Sequence, residues 1–129
     1  MGNRHHELAL NMLDEAREYI EGVNSIQASE KLYKASEEAI KALAEHFGFP
    51  EYRDAEEKGR WTAALLFSAV RRLSERSPQV LDWWDHAWFL HVEGFHEARL
   101  GMEEVEPRAQ SVEKLVALVD QSAGEREAS

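Results

Sequence analysis

Histidines, acids and an arginine crowd into one stretch of the chain, Trp83-Trp84-Asp85-His86-Ala87-Trp88-Phe89-Leu90-His91-Val92-Glu93-Gly94-Phe95-His96-Glu97-Ala98-Arg99. An imidazole changes charge near neutral pH, so His91 and His96 are the candidate general acid and base of the chain. Arg99 at the end of the stretch, with Lys58 and Arg60 upstream, supplies cations of the kind that hold phosphate or carboxylate. Lys58-Gly59-Arg60-Trp61-Thr62 reads as a junction opening a helix, where free backbone N–H groups add to the attraction for an anion. Its alternative reading is a loop that anchors Trp61 in the core.

Metal ligation is the other chemistry these residue types permit. Asp82 and His86 stand four apart, and Glu93 and His96 three apart, so each pair can chelate from one helical turn. Glu93-x-x-His96 has the form used by di-iron bundles, which need two such motifs and two more glutamates. The helix offers one, so no metal or other cofactor is expected, with Glu93 and His96 the weak candidates. At 100° per residue, His86, His91 and His96 project about 140° from one another and make no three-histidine site.

The element that positions these groups reads as a long amphipathic helix. Helical projection places Leu81, Trp84, Trp88, His91, Val92, Phe95 and Arg99 on one stripe. Asp82, Asp85, His86, Phe89, Glu93, His96 and Glu97 fall broadly opposite. The aromatic stripe reads first as a packing face, which makes His91 a buried, hydrogen-bonded imidazole and separates it from His96. Gly94 costs about 1 kcal/mol against alanine inside a helix, so close approach of a neighbour is expected there. That neighbour is another helix, a second subunit or a ligand. If it is a subunit, Trp84, Trp88, Gly94 and Phe95 form the interface.

The rest of the chain reads as supporting helices. Leu8, Met12, Leu13, Ala16, Tyr19, Ile20 and Val23 mark a first helix closing at Gly22. Asn24 and Gln27 have the form of a capping box for the second, with Val23 as its hydrophobic staple, and the apolar face then continues to Phe47. Residues 48 to 59 break the periodicity and read as the longest connection. A third helix from Trp61 to Leu73 ends before Ser77-Pro78, where the long histidine-bearing helix starts. Val105, Val112, Leu115, Val116 and Val119 make a shorter fifth, with Pro107 in its first turn. A polar tail frays from about Gly124.

With no strand pattern, the expected fold is all-α: an up-down antiparallel bundle of four main helices and a shorter fifth, one domain over residues 1–123 with a tail at 124–129. The 129 residues suffice for one core. A formal net charge of -10 argues against anionic membranes and nonspecific duplex DNA, while leaving room for a nucleotide or short RNA at a local patch. With no cysteine, thiol chemistry, disulfides and cysteine-type zinc sites are excluded. No apolar run reaches a membrane span and no leader pattern opens the chain, so a cytoplasmic protein is expected. High charge without cysteine fits a thermophilic source. Walker-type Gly-x-x-x-x-Gly-Lys, Gly-x-Ser-x-Gly and His-Glu-x-x-His signatures are absent.

Three stretches together resemble the archaeal PaREP family. They are Gln27-Ala28-Ser29-Glu30-Lys31-Leu32-Tyr33-Lys34-Ala35 with Glu37-Glu38-Ala39-Ile40-Lys41-Ala42-Leu43, Gly59-Arg60-Trp61-Thr62 with Leu65-Leu66-Phe67, and Trp88-Phe89-Leu90-His91-Val92-Glu93-Gly94-Phe95-His96-Glu97. That family in turn resembles the HEPN superfamily, helical bundles that dimerise and act as ribonucleases or as partners of nucleotidyltransferases. The resemblance implies a homodimer, a nucleotidyltransferase partner, and RNA or a nucleotide as ligand. HEPN ribonucleases carry an Arg-x(4-6)-His motif; no arginine precedes His46, His86, His91 or His96 at that spacing. The expectation is therefore a non-catalytic, dimeric interaction or ligand-binding module. The alternative is an atypical, metal-independent HEPN-type ribonuclease or toxin–antitoxin component using His91 and His96.

Overall fold

A computed structural model of the chain describes residues 3–128, with side-chain environments through residue 123. Among the described residues the fold is all-α: α1 (Arg4–Glu21), α2 (Ser25–Phe47), α3 (Pro50–Lys58), α4 (Ala63–Ser74), α5 (Gln79–Phe89), a π-helical segment (Leu90–His96) and α6 (Met102–Ala128). None of these helices is long and apolar enough to cross a membrane.

The core is organised around α2, which packs on α1, α3, α4, α5, α6 and the π-helical segment. Its sequence explains that central place. Ala28, Ser29, Ala35, Ser36, Ala39, Ala42 and Ala44 are buried on a helix that also buries Leu32, Ile40 and Leu43. Small side chains bring neighbouring backbones close on several sides, and the large ones fill the space between them. α1 lies along α2 as an antiparallel hairpin, contributing Ala9, Leu13 and Ala16. Leu66, Val70 and Leu73 of α4, Val80 and Trp84 of α5, and Val105, Val112, Leu115 and Val116 of α6 complete the core.

Helix ends follow the local chemistry with some departures from expectation. Asn24 caps α2, its side-chain oxygen accepting from the Gln27 N–H at 3.1 Å. The staple does not form: Val23 is 73% exposed and takes the left-handed conformation at φ 56°. It closes α1 as the residue after Gly22, with the Asn24 N–H donating back to the Tyr19 carbonyl at 2.8 Å.

The expected connection at 48–59 contains α3. Pro50 stands at its first position and Gly59 takes the left-handed conformation after its end, while only Glu51 and Ala55 are buried, so no apolar stripe announces it. The expected fourth helix is α5 continued as a π-helix and ends before Gly101. The expected shorter fifth helix is α6, with 27 residues the longest in the fold. Pro107 lies inside it rather than in its first turn. The missing proline N–H opens the hydrogen-bond ladder at Glu103, and the next residue, Arg108, sends Nη1 to the Glu104 carbonyl at 2.8 Å. The backbone of α6 continues through 128; the side chains of the tail expected at 124–129, and Ser129 itself, lie outside the described residues.

Candidate functional site

The histidine-bearing stretch changes its winding at Leu90. In the π-helical segment the bonds reach one residue further back than in an α-helix, and the Glu97 N–H donates to the Val92 carbonyl at 2.9 Å. The segment closes with Ala98 in the left-handed conformation at φ 52° and the Arg99 N–H bonded to the Glu93 carbonyl at 3.0 Å.

This winding overturns the two-stripe projection. Residues five apart, nearly opposite on an α-helix, share a face here, and His96 Nε2 lies 3.1 Å from His91 Nε2. The rings meet edge to face with centroids 4.4 Å apart. Behind them, His91 Nδ1 is 3.4 Å from Glu30 Oε1 on α2. Glu30, His91 and His96 thus form a chain running from α2 outward: Glu30 and His91 are mostly covered, and His96 is exposed.

Aromatic rings hold His91 in place. Tyr33 stacks on it with centroids 4.0 Å apart, and Trp88 is tilted against it at 5.3 Å. Burial and the Glu37 and Glu30 carboxylates push the Tyr33 hydroxyl well above the usual tyrosine range, so it stays protonated beside His91. Beyond Trp88 the rings continue to Phe67 of α4, edge-on at 4.9 Å, and Trp84 packs in the core against Tyr33 at 5.8 Å.

Gly94 is where the segment meets α2. A Cβ there would lie 2.6 Å from the Ser29 Cβ, closer still to the Ser29 hydroxyl, and 3.3 Å from Leu100 Cδ1. The expected close neighbour is therefore a helix of the same chain. Gly94 and Trp84, expected at a subunit interface, are buried in this chain's own core; Trp88 and Phe95 keep part of their surface.

The remaining candidates are not brought together with the histidines. Glu93 binds the Arg99 guanidinium through both carboxylate oxygens, one contact being 3.2 Å to Nη2, and Arg99 also lies 3.8 Å from Glu97. The hydrogen bonds from Arg99 hold the Glu93 carboxyl below the usual range, and the two side chains are engaged with each other. Lys58, the last residue of α3, and Arg60, in the α3–α4 connection, are both exposed. Some of the amides in that junction are already bonded. Gly59 and Arg60 spend their N–H groups closing α3, on Glu56 and Ala55, and the Leu65 N–H is taken by Thr62 Oγ1 at 3.2 Å. His86 is 2.6 Å from Ser111 Oγ on α6, away from Asp82. Among the described residues no group of three or more metal-ligating side chains converges.

One feature was missed by sequence reasoning: a cleft of about 410 Å³ between α4 and α5, lined by Phe67, Arg71, Leu81, Trp84, Asp85 and Trp88 among others. Phe67 and Leu81 are 41% and 48% exposed. Arg72 pairs with Glu51 at 3.0 Å, whereas Arg71 makes no ion pair among the described residues.

The profile of the archaeal PaREP1/PaREP8 family matches residues 4–116, a span that includes every element of the site just described. The chain belongs to that family. A crystal structure of a Sulfolobus solfataricus protein superposes with a TM-score of 0.84 at 38% identity, covering 90% of this chain and 96% of that one. A solution structure of the same structural-genomics target gives a TM-score of 0.81 at 38% identity, covering 90% and 91%. No curated protein matches the chain.

Proposed function

We propose that this PaREP1/PaREP8 protein works as a dimeric, HEPN-like interaction module that pairs with a second copy of itself through the α4–α5 face. The observation that carries this reading is the cleft: large apolar groups left in water, Phe67 and Leu81, flank it, with an unpaired cation, Arg71, and an acid, Asp85, on its walls. An exposed aromatic and aliphatic patch with charged margins is the composition of an interaction surface. In a two-fold interface the same patch meets itself, so Arg71 of each chain reaches the partner's Asp85, and the opposite charges become complementary.

The geometry supports this reading over RNA cleavage by His91 and His96. Phosphodiester cleavage calls for positive charge beside the imidazoles. Here Arg99 is held by Glu93 and Glu97, Glu30 stands behind His91, and Lys58 and Arg60 lie at the end of α3 and just beyond it. Incubation with single-stranded RNA, comparing the natural protein with His91→Ala and His96→Ala, checks this; cleavage abolished by both substitutions would reverse the preference.

Light scattering tests the dimer. The expected mass at micromolar concentration is twice the 14.8 kDa of one chain. Leu81→Asp and Arg71→Asp should shift the protein to monomer, and the exchange Arg71→Asp with Asp85→Arg should restore the dimer. A monomeric natural protein, or a dimer unaffected by Leu81→Asp, refutes the reading.

A further inference from the structure

We infer that His91 and His96 form a two-nitrogen binding site for a late first-row divalent cation, zinc or nickel, open to solvent on its outer side. The two Nε2 atoms are 3.1 Å apart, on rings presented from the same turn of the π-helical segment. A metal about 2.0–2.1 Å from each nitrogen would see them at roughly 95–100°, between the octahedral and tetrahedral angles. The rings meet edge to face with centroids 4.4 Å apart, so the exposed His96 ring must turn for both lone pairs to face the ion.

The surroundings fit a cation in two independent ways. Glu30 lies 3.4 Å from His91 Nδ1, the carboxylate–histidine arrangement that leaves the ring's other nitrogen, Nε2, to face a metal. Tyr33 and Trp88 fix the His91 ring by stacking and tilted contact, so its Nε2 direction is set before any ion arrives.

The π-helical winding is the structural expense that makes the pair. On an α-helix His96 would point away from His91; inserting the wider turn brings them together, and such turns recur at functional sites. With Glu30 accepting the Nδ1 proton of His91, its Nε2 presents a lone pair. In the metal-free protein His96 donates its Nε2 proton into that lone pair. On metal binding His96 becomes the Nδ1–H tautomer, its proton moves to the solvent-facing nitrogen, and both Nε2 lone pairs point at the ion with no net proton released. Because no third protein donor converges there among the described residues, water fills the other positions, which leaves room for an exogenous ligand.

Calorimetric titration of the chelator-stripped protein with zinc chloride, and separately with nickel chloride, tests the site. One ion per chain is expected, with affinity lowered at least tenfold by His96→Ala and by His91→Phe, which keeps the stacked ring without its nitrogens. Glu30→Gln acts through His91 and should lower affinity about tenfold. His5 and His6 near the start of α1 are the competing imidazoles, already engaged with Glu38 at 2.6 Å and Asp120 at 2.8 Å. His5→Ala with His6→Ala should leave the binding unchanged. Imidazole nitrogen NMR with zinc adds a structural readout: His91 and His96 should both appear as Nδ1–H tautomers bound through Nε2. No saturable binding of either ion, or a loss smaller than threefold in His96→Ala, overturns the inference.

Discussion

Gly94→Ala is the substitution whose effect the structure sets most sharply. Helix propensity alone favours the change by about 1 kcal/mol. Against this, the new Cβ would sit 2.6 Å from the Ser29 Cβ, an atom attached directly to the backbone of α2 that no rotamer change can move. The contact is relieved only by separating the π-helical segment from the central helix, which loosens Leu90 and Tyr33 as well. Overpacking of this kind costs about 1–3 kcal/mol and more when backbone must shift. With overpacking at the upper end of that range, about 3 kcal/mol, less about 1 kcal/mol from propensity, net destabilisation is about 2 kcal/mol, or a fall in Tm of about 7 °C for a chain of this size. Urea or thermal unfolding followed by circular dichroism measures it. The control is the double variant: Ser29→Gly costs about 1 kcal/mol by itself, but on that background Gly94→Ala should be nearly neutral, a coupling of about 2 kcal/mol. Ser29→Ala should rescue only in part, because it removes the unpartnered hydroxyl but keeps the Cβ. An unchanged or raised Tm in Gly94→Ala, or additive effects in the double variant, refutes the close-packing argument.

Glu51 is buried, accepts from Ser68 at 2.6 Å and meets Arg72 through both oxygens. Burial alone would raise its carboxyl pKa, but the Arg72 and Ser68 hydrogen bonds outweigh it and hold the group below the usual 4.5. Its contribution is thus present above about pH 4.5 and lost as pH falls through the folded value. Glu51→Gln should cost about 2 kcal/mol at pH 7 by urea titration and flatten the acid limb of a stability–pH curve. Tyr33 acts in the opposite direction. Its hydroxyl is raised above the usual 10.0, so stability is full below about pH 10 and lost as pH rises further, and Tyr33→Phe should flatten that alkaline limb. Val23→Gly removes a β-branched residue from the left-handed region at an exposed site, so Tm should rise by about 4 °C, the equivalent of about 1 kcal/mol.

What was legible in the sequence followed from periodicity and caps. The buried faces of α1, α2 and α4 repeat at three and four, and Asn24 and Gly48 stand at the ends of α2 as their chemistry demands. α3 escaped because nine residues with two buried positions carry no stripe, although Pro50 and Gly59 bracket it correctly. α6 was read too short because the residues that lengthen it, Met102-Glu103-Glu104 at the start and 124–128 at the end, carry no apolar periodicity in the sequence. The site was half legible. Composition pointed to His91, His96 and Gly94, but a fixed 100° per residue set the two histidines on opposite sides. Glu30 and Phe67, which complete the arrangement, come from α2 and α4, and no local spacing links them to the π-helical segment.

That change of winding is not required by the core. Leu90 and Gly94 are the buried residues of the segment, and they stand four apart, a spacing that an ordinary α-helix also places on one face. What differs is the relation between residues five apart, and the only such pair with chemistry in the segment is His91 and His96. Their hydrogen bond is partly exposed and contributes about 1 kcal/mol at most, which is little return for ending an α-helix early and holding Ala98 at φ 52°. The winding is therefore better explained by what the paired imidazoles bind than by what they add to the fold. Stability and cation affinity should accordingly separate: His96→Ala should leave Tm within about 3 °C, as expected of an exposed side chain, while removing most of the zinc affinity. A variant that melts far earlier would place the pair among the structural contacts instead.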